Sequence, residues 1–400
     1  MRIGIDCRTI LNPGAGEQAG IGHYTHCLVR NLLKIDQENE YVLFFDNRIS
    51  DSAAKLVIGN NQNVKARFFP FYQYKQYLPF AYSQMLVAAF LSREKLDLYH
   101  SPANVIPLQY SGKSVVTLHD LAIYKHPDWF PSNFMSRQIF STKILVPKSL
   151  RKAKRIIAVS ENTKQDIIKQ FKIPAKKIEV VYEGVMKSDD LGNKKLIIPD
   201  KQTLKKKFDI KDNYILFLGT IEPRKNIAAL VKAYHGLLTR NRIKSQKDNK
   251  NFPQLVLAGG RGWKYKEVFK TIKNLKLEKE IKYLDYVDHQ DKIGLMQNAL
   301  CFVFPSKYEG FGLPILEAMN LGIPVISSNV SSIPEVAGEA AILINPDSVS
   351  DLVQAIEKVV GDKKLREELS QKGREQSQKF SWQKTAEETL AIYKEVLSDK

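Results

Sequence analysis

Residues with chemistry to offer gather where apolar runs of this sequence end. In "YEGFGLPILEAMNLG" (Tyr308–Gly322), Glu309 and Glu317 bracket Gly310, Gly312 and Pro314. An apolar run precedes the stretch and helix-like spacing follows it, so the chain is expected to pass from strand to helix through glycines. Proline suits the first turn of a helix, where its missing N–H costs nothing. The free N–H groups and positive dipole end of such an entry favour an anion. "YILFLGTIEPRKN" carries Gly219 and Thr220 at a strand end, then Arg224 and Lys225 ahead of the helical "NIAALVKAYHGLL". Cations suit a helix N-terminus poorly. Their placement points to a diphosphate clamp that neutralises a leaving group; two solvated cations are the plain alternative.

"KSVVTL" ends in His119-Asp120, and "GIGHY" (Gly20–Tyr24) opens the helical stretch "HCLVRNLLKI" with Gly20 and Gly22. A histidine closing a buried strand is commonly structural, and its position beside Asp120 at a strand end keeps a catalytic role open. Neither glycine turn is a G-x-x-x-x-G-K-[ST] loop or a dinucleotide fingerprint. A carboxylate aimed at a diphosphate is repelled, so Glu309 and Glu317 suit sugar hydroxyls, unless Glu317 only supports its helix and Glu309 is solvated. Phosphate on cations and N–H groups, with hydroxyls on carboxylates, describes a nucleotide sugar. No D-x-D pair, H-E-x-x-H or Cys/His cluster occurs, so no metal and no cofactor is expected.

The elements that must hold these residues are short β-branched strands alternating with helices. "MRIGIDC", "YVLFF", "KSVVTLHD", "RIIAVS" and "IEVVYEG" lie in the first half. "YILFLGT", "QLVLAGG", "IKYLDYV", "CFVFPS", "PVISS" and "AAILIN" lie in the second. Nearly all-apolar strands between helices read as parallel sheets covered on both faces, an α/β doubly wound arrangement, here repeated. Four hundred residues exceed one ordinary core. The polar stretch Met186–Phe208 is the natural boundary. "FSWQKTAEETLAIYKEVLSDK" reads as a closing amphipathic helix, N-capped by Ser381, with Trp382, Ala386, Leu390, Tyr393 and Leu397 on one face.

The start lacks the order of a signal peptide, no apolar run is long enough to span a bilayer, and three scattered cysteines make no disulfide framework. A reducing cytoplasm fits. The net charge of +18 is spread over both halves. It is densest from Trp129 to Ser160, where Arg137, Lys143, Lys148, Arg151, Lys152, Lys154 and Arg155 meet no acid. A solvated basic face, an anionic membrane surface or a phosphorylated substrate each accounts for it. Without an RNA- or DNA-binding motif, nucleic acid is not expected. The aromatic and basic "KARFFPFYQYKQYLPFAYSQMLVAAFL" is either core helix and loop or a peripheral contact with a membrane bearing a lipid-linked sugar.

Along nearly its whole length the sequence resembles glycosyltransferase family 4, retaining enzymes of the GT-B fold. "FVFPSKYEGFGLPILEAMNLGIPVISSNVSSIPEVAGEAAILINPDS" resembles the E-x7-E block of that family. "LGTIEPRKN" resembles its donor-phosphate segment, "VVTLHDLAIYKHPDWF" and "RIIAVSENTKQDI" its acceptor-domain landmarks, and "GIGHYT" its N-terminal glycine loop. The resemblance implies two Rossmann-like domains facing across a cleft. An acceptor-binding domain would span 1–190, a donor-binding domain 191–378, and a helix from 379–400 would cross back to the first. It implies Glu309 against the donor sugar, Glu317 on the ribose, and Phe311, Gly312 and Leu313 backbone along the sugar–diphosphate. Arg224 and Lys225 would bind the diphosphate beside Gly219 and Thr220, with Gly20 and Gly22 closing over it. His119 would sit by the reacting sugar, and Asp120 and Ser160 on the acceptor side.

Two departures stand out. Many relatives carry Gly-Arg where this chain has Gly219-Thr220, and Asn-Gly where it has Glu183-Gly184. The "EPRKN" form resembles a subgroup associated with mannosyl transfer, which implies GDP-mannose, with UDP- or dTDP-sugars as alternatives. The expected reaction is metal-independent, retaining hexosyl transfer to a hydroxyl of a glycan or lipid-linked glycan. A sugar-nucleotide epimerase or hydrolase is the rival enzyme, and a non-catalytic sugar-binding partner the rival of another class.

Overall fold

The computed structural model describes residues 1–11, 20–77, 80–131, 141–185, 197–245 and 252–398. Arg137, residues 12–19 ahead of Gly20 and residues 186–196 of the expected boundary lie outside these. The described chain forms two compact units. One comprises Met1–Tyr124, Ser132–Gly184 and Ser381–Lys400, and the other Lys125–Pro131 and Val185–Phe380.

Unit 1 is built on seven parallel strands: β1 (Arg2–Asp6), β2 (Glu40–Asp46), β3 (Val64–Phe69), β4 (Leu98–Ser101), β5 (Ser114–Leu118), β6 (Arg155–Ala158) and β7 (Ile178–Val180). Their order is β3-β2-β1-β4-β5-β6-β7. Two were not foreseen as strands. β3 lies in the segment read as helix and loop, and its part-exposed pattern is that of a sheet edge. β4 is only "LYHS", although all four residues are buried.

Unit 2 holds β8 (Tyr214–Leu218), β9 (Gln254–Ala258), β10 (Ile281–Leu284), β11 (Cys301–Phe304), β12 (Val325–Ser328) and β13 (Ala341–Ile344), all parallel. Their order, β10-β9-β8-β11-β12-β13, is the six-stranded doubly wound arrangement. All six had been foreseen, because each is a short apolar run between helices. Part of the stretch read as an irregular linker folds into the helix Lys201–Phe208, which Asp200 caps and Leu204 anchors by burial.

In each sheet the order in which strands are added reverses at a pair of central strands, β1/β4 in unit 1 and β8/β11 in unit 2. Ligands of open parallel sheets bind beyond the carboxyl ends of strands at such points. Helix Trp382–Ser398 belongs to unit 1, where it packs on helix Gly20–Ile35. The Trp382 indole meets the rings of His23 and Tyr24 edge-on at 5.8 and 5.7 Å. The backbone amide of Lys384 donates to Ser381 Oγ, consistent with the expected cap. Its buried face is Trp382, Thr385, Ala386, Thr389, Ile392, Tyr393 and Val396. Leu390 and Leu397 are only half-buried: the apolar spacing had hidden two threonines that bond back to their own helix.

Candidate active site

In unit 2 the loops after β8 and β11 meet. Beyond Gly219 and the exposed Thr220, Pro223–Lys225 forms a short 3-10 turn. Asn226 closes it in the left-handed region and donates through Nδ2 to the Pro346 carbonyl. The Lys307 amide donates to the Arg224 carbonyl at 2.8 Å, which ties the two loops. The loop after β11 is held in turn by two serines. Ser331 Oγ accepts from the Glu309 amide, and Ser332 Oγ donates to the Glu309 and Phe311 carbonyls.

This framework brings four charged groups together. Lys225 Nζ donates to Glu309 Oε1 at 2.7 Å, and Arg224 Nη1 to Glu309 Oε2 at 3.0 Å. Arg224 also holds Glu222 through Nε at 2.9 Å. The Lys225 ammonium lies 4.5 Å from the Phe304 ring centroid. Glu222, Lys225 and Glu309 are buried, whereas the Arg224 side chain keeps 19% of its surface exposed. Burial opposes ionisation of Glu309, yet Arg224 and Lys225 outweigh it and hold the carboxyl below the usual range. Burial, aided by Arg224, pulls the Lys225 ammonium below its usual value against the attraction of Glu309. The direction that governs the cluster is that of Glu309, because two cations contact one carboxylate.

Two cations thus face two carboxylates, and the cluster is charge-balanced. The sequence had pointed to Arg224, Lys225 and Glu309 but passed over Glu222, whose only signal was its place two residues before Arg224. Gly312, at φ +114°, turns the chain into helix Leu313–Asn320, a conformation that a side chain would strain. Phe311 packs its ring against Phe380, and its carbonyl is held by Ser332 Oγ at 2.8 Å. On that helix Glu317 accepts through Oε1 from Lys292 at 2.6 Å, and Lys292 is a buried cation with no sequence signal. Oε2 of Glu317 has no partner among the described residues.

The unit 1 residues form a separate constellation. His119 follows β5, and its amide donates to Asn104 Oδ1. Its Nε2 lies 2.8 Å from the Pro102 carbonyl and its Nδ1 3.4 Å from Glu183 Oε1, while the Tyr24 ring stands edge-on at 4.7 Å. Asp120 accepts from the Ala122 amide. Ser160 is fully buried and accepts from the Thr163 amide as N-cap of helix Glu161–Phe171. Gly20, with open space where a Cβ would stand, begins helix Gly20–Ile35, so Gly22 lies within its first turn. Among the described residues no group of three His, Cys, Asp or Glu is arranged to hold a metal ion. No helix among them is long and apolar enough to cross a membrane.

Two family descriptions match the chain: "Glycosyltransferase Family 4" over residues 19–188 and "Glycosyl transferases group 1" over 200–376. The chain is similar to O-antigen chain mannosyltransferase B of Escherichia coli, at 33% identity over 384 residues, 94% of this chain and 96% of that protein. Serotype-specific mannosyltransferase WbdA of Escherichia coli is 29% identical over 71% of this chain, which spans only 33% of WbdA. Among solved structures, sucrose-phosphate synthase from Thermosynechococcus elongatus matches over the full length of both chains, with a TM-score of 0.73 at 20% identity. The chain belongs to glycosyltransferase family 4 and is a glycosyltransferase with the GT-B fold.

Proposed function

We propose that this enzyme moves a mannosyl group from GDP-mannose to a hydroxyl of a growing glycan or lipid-linked glycan, with retention and without a metal. The observation that carries this reading is the Glu222–Arg224–Lys225–Glu309 cluster at the carboxyl ends of β8 and β11. The mannosyl assignment rests on the likeness to O-antigen chain mannosyltransferase B. The polysaccharide context is taken from the same relative.

In this account the bond from C1 to the phosphate oxygen breaks with its electron pair going to the nucleoside diphosphate. The acceptor oxygen bonds C1 on the same face, and its proton passes to the departing phosphate. Lys225 and Arg224 stabilise the charge on that phosphate as it develops, the point at which such a contact accelerates chemistry. A sugar hydroxyl reaching Glu309 exchanges one partner within the cluster and adds no charge, whereas a phosphate reaching Arg224 brings negative charge of its own, which Arg224 and Lys225 must then share between it and the carboxylates. Oε2 of Glu317, without a partner among the described residues, serves the ribose hydroxyls. His119 serves the reacting sugar, with Asp120 and Ser160 supporting the acceptor side.

The test is transfer from GDP-mannose, UDP-glucose and dTDP-glucose in EDTA, with the product's anomeric configuration read by NMR. Transfer from GDP-mannose with retention is expected. Selective use of a UDP- or dTDP-sugar, inversion, or dependence on a divalent ion overturns the corresponding part. Consumption of donor without acceptor at the same rate would make the enzyme a hydrolase.

A peripheral membrane contact is part of the same proposal. Helix Phe80–Arg93 buries Val87, Ala88 and Leu91 yet exposes Tyr82 (61%), Met85 (54%) and Leu86 (40%) on its other side, with Arg93 at its end. Apolar side chains beside a cation suit an anionic lipid surface. Co-sedimentation with phosphatidylglycerol vesicles, and its loss in Met85→Glu/Leu86→Glu, is expected. Equal binding of wild type and variant would contradict it.

A further inference from the structure

The departure at Glu183 acquires a physical reading from its surroundings. A carbonyl oxygen only accepts, so the 2.8 Å contact with Pro102 requires the proton of His119 on Nε2. In a neutral ring this leaves a lone pair on Nδ1, directed at Glu183 Oε1 3.4 Å away. Two acceptors facing each other in a site where the side chains keep 13% and 7% of their surface are repulsive unless a proton lies between them. Glu183 has no Lys or Arg partner among the described residues; His119 is its one ionic neighbour. A bare carboxylate buried there would be costly.

We propose that Glu183 is a positioning residue for His119: carboxylate and imidazole share one proton, which fixes the ring in a single orientation and leaves the pair without net charge. The role follows from the reaction proposed above and rests on His119 serving the reacting sugar. A positive charge develops at the anomeric carbon in such a transfer, and an uncompensated imidazolium beside it would raise the barrier. The paired form keeps the ring rigid without that penalty. The asparagine of many relatives can orient a histidine through its amide but cannot share this proton.

The other groups around the pair do not compete for it. Burial raises the Tyr24 phenol well above its usual range, so it stays protonated, and its hydroxyl turns to Thr117 Oγ1 at 3.4 Å. His100, bound by Tyr393 and Thr117, is pushed down to about 3 by burial, with a smaller contribution from His119, and stays neutral. The backbone carrying Glu183 is fixed as well. A Cβ on Gly184 would collide with the Trp382 amide, so the C-terminal helix sets where Glu183 can stand.

The test uses the full-length enzyme labelled with 15N in the imidazole rings. In wild type the His119 Nδ1 resonance is expected to lie away from that of a free lone pair, and in Glu183→Gln to return to that of a neutral ring. Glu183→Gln is expected to lower kcat at least roughly tenfold with donor KM within about twofold, the low end of the range seen when a partner that orients a functional histidine is lost. His119→Asn/Glu183→Gln should be no slower than His119→Asn alone. A free Nδ1 lone pair in wild type, or fully additive losses, would overturn the dyad. Unimpaired turnover in His119→Asn would instead overturn the proposed part of His119 in the reaction, whatever the NMR result.

Discussion

Lys225→Met separates what the charged cluster does for the fold from what it does for the reaction. In unit 2 this substitution removes an ammonium that is 2.7 Å from Glu309 Oε1 and largely out of water. Breaking a buried ion pair from one side costs about 3–5 kcal/mol, because the remaining charge is left uncompensated. Here Arg224 stays on the other oxygen of Glu309 at 3.0 Å, so the expected loss is at the lower end, about 3 kcal/mol. That lies within the stability of an ordinary domain and corresponds to a fall in Tm of roughly 6–12 °C. Adding Glu309→Gln removes the uncompensated charge, and Arg224 keeps Glu222. The double variant should therefore recover to within about 1 kcal/mol of wild type, since replacing both members of such a pair is often near neutral. Activity should not recover: losing the cation on the departing phosphate lowers kcat by roughly 10²–10³ in both variants. Urea denaturation gives the first quantity and radiolabelled sugar transfer the second. A single variant as stable as wild type would refute the buried pair. Turnover within about threefold of wild type in both would remove Lys225 from the reaction, given the scale of such contacts.

Other consequences follow from the same geometry. Glu309 is held below the usual carboxylate range, so its contribution to stability is complete above the unfolded-state value of about 4.3. It is lost as the pH falls through the lower folded-state value. The stability gap between wild type and Glu309→Gln, measured by urea titration at a series of pH values, should shrink below about pH 4. Gly259→Ala sets a Cβ against the Gly219 carbonyl at a backbone φ of +135°, and should lower the Tm of unit 2 by several degrees; an unchanged melting curve would contradict the close approach. Glu317→Ala should weaken GDP binding in calorimetry about tenfold while a phosphate-only ligand such as pyrophosphate is unaffected, the loss expected for hydrogen bonds to a charged group. Equal loss for both ligands would place Glu317 on the phosphate side.

The sequence disclosed the repeated architecture because most strands are short, apolar and flanked by helices. Where that pattern broke, so did the reading. β3 alternates Lys65 and Arg67 with apolar residues because it is an edge strand, its outer side open to water. β4 is four residues long and carries His100, whose polarity is satisfied by Tyr393, almost 300 positions away, and by Thr117. Arg224, Lys225, Glu309 and Glu317 were legible because each stands at a strand end or helix entry where its charge is out of place. Glu222 and Lys292 were not, because they matter through partners that only folding brings near; Glu183 stood out only as a departure from the family, and its neighbour His119 is brought near by folding. Thr385 and Thr389 were missed for a related reason, since their hydroxyls bond to carbonyls one turn back and leave a methyl for the interface.

Titration of GDP into wild type and Lys225→Met, followed by calorimetry, addresses the donor-phosphate site directly. The charged cluster as that site predicts one binding site on wild type and at least roughly tenfold weaker binding to the folded variant, the effect of losing one charge-assisted contact. Equal affinity for the two proteins would contradict it.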